Sequence, residues 1–215
     1  MTKRWRKALG GLAVVLLAFA VVVSIPATRG SILRAFGWAL VVEGPIGPAD
    51  IIVVSGEADG AGTLEAADLV SGGIAKRVAV FADPPDSVDQ EFLRRGIPYE
   101  DEAARSIRQL KALGVRDVIQ IPRARGTREE AEVLPGWCDR YRFHAVVVVT
   151  TRDHSRRLRR ILERAMQGHP TKIMVHPEKY SKFDPDRWWK TRDGIRIEMT
   201  ELQKLLLDVI RHPIP

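Results

Sequence analysis

The sequence predicts an α/β fold: a Rossmann-like, doubly wound, mainly parallel sheet behind a single N-terminal transmembrane helix. Three observations lead there. Short β-branched runs at 51–54, 77–81, 118–121, 145–149 and 171–175 alternate with segments of helical period, which implies right-handed crossovers and a sheet covered on both faces. The run Ala145-Val146-Val147-Val148-Val149 is too short and too β-branched for a helix and reads as a strand buried on both sides. Lys3, Arg4, Arg6 and Lys7 precede an uncharged apolar run from Ala8 to Ala27, and roughly 20 such residues span a bilayer.

The basic flank places the N-terminus in the cytoplasm. The expected organisation is a cytoplasmic basic tip and anchor over 1–28, a linker over 29–49, and an α/β domain over 50–215, extracytoplasmic and held to the inner membrane by a single pass. A cleaved signal peptide is the rival reading. The run is long for its apolar core, and Ser24-Ile25-Pro26 makes a poor cleavage site, which favours the anchor. The apolar stretch 32–42, with Trp38, is a candidate for the membrane interface.

The formal charge of +7 includes the four cations of the tip and leaves +3 for the rest. With no recognisable nucleic-acid motif, that excess does not read as a nucleic-acid binder. The single cysteine, Cys138, permits no internal disulfide and no Cys-X-X-Cys site, and reads as a buried thiol beside Trp137. The five histidines show no paired ligand spacing, so no metal site is assigned.

Gly44, Pro45, Gly47 and Pro48 open the domain. The strand 51–54 ends at Ser55-Gly56-Glu57, and Thr63 is placed to cap a helix to about residue 70. That strand, loop and helix start form a candidate anion cradle, although the spacing is not G-x-G-x-x-G. The strand 77–81 ends at Ala82-Asp83-Pro84-Pro85. A helix is expected over 98–113, closed by Gly114. After 118–121, the loop 122–126 leads into a helix from Thr127, which Pro135 should interrupt before it resumes to Tyr141. The strand 145–149 leads through Thr150-Thr151-Arg152-Asp153-His154 into a basic amphipathic helix, then to a fifth strand, Trp188-Trp189 and a long terminal helix.

In open parallel sheets the ligand crevice lies beyond the carboxyl ends of the strands. Ser55, Gly56, Glu57, Asp83, Arg123, Arg125, Thr127, Thr150, Thr151, His154 and Arg157 all follow strands. Three arginines and two helix starts should converge there, which favours an anionic ligand such as a phosphate, diphosphate or carboxylate. Simpler readings stand beside these. Thr127 and Glu130 fit a capping box, Asp153 fits a cap for the basic helix, and Arg159, Arg160 and Arg164 fit a solvated face. His154, one turn beyond a buried strand, has the chemistry of a general acid or base. Gly-x-Ser-x-Gly is absent, so the α/β-hydrolase reading fails.

The Ser55-Gly56 loop, the segment from Glu102 to Leu113-Gly114-Val115, the turn Thr127-Arg128-Glu129-Glu130-Ala131, the turn Thr150-Thr151 with His154-Ser155-Arg156-Arg157, and Trp188-Trp189 occur in an order that resembles the YdcF-like family, the SanA and ElyC group of bacterial envelope proteins. The resemblance covers about residues 50–210. It implies a Rossmann-like domain, often behind one anchor, acting in the envelope barrier, peptidoglycan biogenesis and polyprenyl-phosphate supply. One member binds S-adenosylmethionine. By the same resemblance Glu102, Glu129 and His154 are the catalytic candidates, with Thr127 and Arg157 functional beside them; the residue reading adds Ser55, Gly56, Thr150 and Thr151 as ligand-binding candidates. Two positions depart from the family. Glu130 stands where the family has asparagine, and Ala82-Asp83-Pro84 where it has Ser-Gly-Gly.

The expected function is therefore a membrane-anchored envelope domain that binds a phosphate-containing ligand, with a polyprenyl-phosphate-linked one as the candidate. In that reading His154 moves a proton and Glu129 or Glu102 orients it. The alternatives are a nucleotide or S-adenosylmethionine module and a non-catalytic envelope scaffold. The residues specify no particular cofactor.

Overall fold

The computed structural model describes residues 24–99 and 101–213. Five strands, β1 (Ile51–Val54), β2 (Arg77–Phe81), β3 (Asp117–Ile121), β4 (Ala145–Thr150) and β5 (Lys172–Pro177), form one sheet in the order β3-β2-β1-β4-β5. Every pairing is parallel, with Val53 opposite Ala79 on one side and Val148 on the other. The first and second predicted strands match; β3 begins one residue early, β4 runs one residue further to Thr150, and β5 shifts to end at Pro177.

Alternation along the strands sorts the core into two layers. Ile51, Val53, Val146 and Val148 face α5 (Gly126–Tyr141) and α6 (Ser155–Ala165), packing on Leu134, Trp137 and Leu158. Ile52, Val54, Val147 and Val149 face α2 (Asp59–Ser71) and α4 (Glu102–Ala112), packing on Ala66 and Leu110. Each such side chain contributes about 1.5–3 kcal/mol on burial, so these eight fix the strand order and both layers. Cys138 lies in the first layer, and burial pushes its thiol up to about 12.

Several local expectations give way to tertiary context. Pro135 does not break α5. The helix expected over 98–113 begins at Glu102, where the Asp101 carboxylate accepts from the Ala103 N–H at 2.9 Å. A helix not anticipated, α3 (Ser87–Arg94), starts on a reciprocal capping box of Asp86 and Asp89. Neither proposed threonine or aspartate cap forms. Thr63 sits inside α2 and donates to the Asp59 carbonyl, while α6 starts after His154 with no side-chain cap.

The stretch read as a linker over 29–49 carries the end of α1 (Pro26–Leu40). It is ordered because Leu40 and Val41 pack with Phe183, Trp188 and Leu205. The approach is close: a Cβ on Gly37 would stand 2.8 Å from the Trp188 ring and nearer still to the Pro185 carbonyl. The Trp188 indole donates to the Leu33 carbonyl at 2.7 Å. The predicted transmembrane run lies mostly within 1–23, outside the described residues. Among the described residues, no helix is long and apolar enough to cross a membrane.

The terminal helix, α7 (Arg192–Arg211), is amphipathic in an inverted sense. Its buried side carries Glu198, Glu201 and Leu205, while Ile195, Met199, Leu206 and Ile210 are exposed, Ile210 by 75%. The acidic side faces α6. Arg157 pairs with Glu201 at 3.0 Å, Arg160 with Asp208 at 2.8 Å, and Arg164 also with Asp208. Both helices step by seven residues between the first and last of these pairs, so they run side by side in the same direction. Arg160 and Arg164 are thus internal ties rather than a solvated face; Arg159, paired with Glu163 in the open, is solvated as expected.

Candidate functional site

The strand order reverses between β1 and β4, and the crevice at that reversal is where open α/β sheets hold ligands. Here an internal carboxylate enters it. Glu130, one turn into α5 and only 4% exposed, accepts from the Gly56 N–H at 2.9 Å. The donor expected to cradle a ligand anion is therefore already engaged. Burial pushes the Glu130 carboxyl up to about 7 against that hydrogen bond, with Glu57 and Asp83 adding to the rise.

On one side of the α5 start lies an acidic cleft of about 510 Å3, lined by Glu57, Asp83, Asp86, Asp89, Glu102 and Glu130, with Arg125 the one cation among the described residues that line it. Burial, then the charges of Glu102 and Asp101, raises Asp83 to about 6. A phosphate is disfavoured in this company. Ser55 stands beside the cleft, buried, with its hydroxyl unpartnered among the described residues.

On the other side lies a basic groove of about 460 Å3 between α5, α6 and α7. Arg128, Arg157, Arg164, Lys204 and Arg211 line it against two carboxylates, Glu132 and Asp208, over Ala131, Ile161, Ala165 and Leu207. Thr127 stands at its edge. Among the described residues, Arg128 and Arg211 form no ion pair within 4 Å.

Behind Thr127 runs a buried polar chain. The Thr127 hydroxyl lies 3.1 Å from His154 Nε2, and His154 Nδ1 lies 3.3 Å from the Glu201 carboxylate. His154 is 2% exposed and Glu201 7%. Burial alone would raise Glu201, but His154, Lys204 and Arg157 outweigh it and hold the carboxyl at about 2. An ionised carboxylate only accepts, so Nδ1 carries the proton, and the Nε2 of a neutral imidazole is left to accept from the threonine hydroxyl.

The structure thus divides the sequence candidates. Thr127, His154 and Arg157 come together, with Glu201 as the orienting carboxylate. Glu129 instead accepts from the Arg125 N–H at 2.7 Å at its own helix start, and Glu102 stands in the acidic cleft beside Arg105. Neither reaches His154. The three arginines do not converge: Arg123 lies near Trp137 and Tyr141, Arg125 on the acidic cleft and Arg157 on the basic groove. Thr127 and Glu130 make no capping box, since each bonds to another element. Thr150 is fully buried, its hydroxyl unpartnered among the described residues, and the Thr151 carbonyl accepts from the His154 N–H.

Sequence reasoning missed Glu201, Lys204 and Glu198. Glu198 is 1% exposed, both oxygens are unpartnered among the described residues, and burial raises its carboxyl to about 7. A signal was present: Glu198, Glu201, Leu205 and Asp208 share one helical face, at the spacing that complements Arg157, Arg160 and Arg164.

No family model matches the chain, and no curated protein matches it. Among solved structures, a universal stress protein in complex with cAMP aligns over 60% of this chain and 98% of its own, at 15% identity and a TM-score of 0.35. A likeness that distant carries no argument about ligand or activity.

Proposed function

We propose that this protein is a membrane-anchored, extracytoplasmic domain of YdcF-like type that acts in cell-envelope biogenesis and binds a phosphate-bearing, lipid-linked ligand in the groove between α5, α6 and α7. One observation carries the reading: five cations rim a groove whose floor is apolar. Cations suit a phosphate head and the floor suits the first units of a hydrocarbon tail. The N-terminal apolar run and the exposed stripe Ile195, Met199, Leu206 and Ile210 support a site close to a bilayer.

The test is a titration of the full-length protein in nanodiscs with a polyprenyl phosphate. Arg128→Ala and Arg211→Ala should each weaken binding about tenfold or more, the loss of one charge-assisted contact worth roughly 1.5–3 kcal/mol. Arg159→Ala, outside the groove, should leave it unchanged. No binding, or equal affinity in all four proteins, would refute the reading.

A second reading, an S-adenosylmethionine module, draws on the acidic cleft, whose carboxylates suit a sulfonium cation and whose Asp83 follows β2. Binding of S-adenosylmethionine that is lost in Asp83→Asn would favour it over the first.

A further inference from the structure

We propose that Thr127 is the nucleophile of a phosphoryl-transfer reaction, with His154 as its base and Glu201 as the positioning residue that orients His154. The proposal rests on the groove being a phosphate site and adds the reaction to it.

The geometry is that of an activated hydroxyl. Thr127 lines the groove, and its Oγ1 lies 3.1 Å from Nε2, within reach for proton transfer. The opposite ring nitrogen faces Glu201 at 3.3 Å, which fixes the proton on Nδ1 and stabilises the imidazolium that forms. Water has little access to His154, buried between two helices, so Thr127 is its outlet to the groove. Gly126, at φ 70°, turns the chain sharply from the preceding loop and opens α5, which places Thr127 in the first turn. The first-turn N–H groups of that helix lack intrahelical acceptors, and the positive end of the helix dipole favours negative charge near Thr127. Arg128, exposed and adjacent, is placed to hold its oxygens.

The chemistry balances with water as the only co-reactant. Thr127 Oγ1 bonds to phosphorus as the bond from phosphorus to the leaving oxygen breaks; the threonine proton passes to Nε2, and the leaving oxygen takes a proton from a groove water, which becomes hydroxide. That hydroxide attacks phosphorus, the bond from phosphorus to Oγ1 breaks, Oγ1 recovers its proton from Nε2, and inorganic phosphate leaves. The substrate class is a phosphate monoester or diphosphate whose leaving group has an apolar part.

A histidine held only for stability would show the same hydrogen bonds, so the test reads a covalent product. Full-length protein in nanodiscs is mixed with a polyprenyl diphosphate, and in parallel with p-nitrophenyl phosphate, then quenched in acid, which leaves a phosphothreonine ester intact. Mass spectrometry should find phosphate on the peptide carrying Thr127. Thr127→Ser should keep the adduct and phosphate release, Thr127→Val should abolish both, and His154→Gln should slow labelling by about 10²–10⁴-fold. Thermal melts of each variant separate lost chemistry from lost fold, and the Ser and Val pair still decides if His154→Gln does not fold. Groove-dependent binding without phosphate on Thr127, or phosphate release that persists in Thr127→Val, would overturn the nucleophile and leave the binding reading standing. No binding of either probe would remove both.

Discussion

Glu201→Leu should destabilise the protein by about 3–5 kcal/mol, the range for removing one partner from a buried ion pair. The carboxylate is shared by His154 at 3.3 Å and two cations, Arg157 at 3.0 Å and Lys204 at 2.7 Å. Leucine fills the space but leaves the Arg157 guanidinium, 13% exposed, without a counter-charge. For a chain of this length, that is a fall in the thermal midpoint of roughly 6–20 °C. Glu163→Ala, which breaks the exposed pair with Arg159, should change stability by less than about 1 kcal/mol. Equal effects of the two substitutions in thermal melts would mean that the α6–α7 contact is not the electrostatic joint described above.

Stability should also peak at mildly acidic pH, near 4–5, rather than in the commoner range of about 5–8. The signs follow from which state binds more protons. Glu201 is held at about 2, below its unfolded value near 4.5, so its contribution is complete above about 4.5 and is lost as pH falls toward 2. Glu130 and Glu198 are raised to about 7, so the native state binds more protons than the unfolded chain between about 4.5 and 7. Stability then falls as pH rises through that window. Asp83, raised to about 6, acts in the same direction. The effect of each buried glutamate is on the order of 3 kcal/mol. Urea unfolding at pH 4.5 and 7.5 should show the decline, and the double substitution Glu130→Gln, Glu198→Gln should flatten it. Stability that rises between those two values in the unsubstituted protein would contradict these proton affinities.

Short continuous β-branched runs between segments of helical period made the sheet legible, because a parallel strand covered on both faces admits few other readings. Thr127, His154 and Arg157 were legible as residues that follow strands. Their orienting carboxylate was not. Glu201 lies 47 residues beyond His154 on a helix whose apolar residues Ile195, Met199, Leu206 and Ile210 lie on the exposed side, so amphipathicity alone does not mark its acidic side for burial. Only the matched spacing of arginines on α6 and carboxylates on α7 argued otherwise. The split into acidic and basic sides was likewise out of reach, since it depends on how far Glu130 leans across to Gly56. Pro135 read as a break because local propensity was weighed without the packing of Leu134 and Trp137, which holds α5 together on both sides of it.

The central claim is that a lipid-linked phosphate lies in the groove between α5, α6 and α7. Photo-crosslinking tests it most directly, using a polyprenyl phosphate that carries a diazirine in the first units of its tail and the full-length protein in nanodiscs. The predicted adducts are on Ile161, Ala165 and Leu207, the apolar floor of the groove, and they should disappear with excess unlabelled polyprenyl phosphate. Adducts on Pro84 and Tyr99, which line the acidic cleft, or labelling that no competitor reduces, would contradict it.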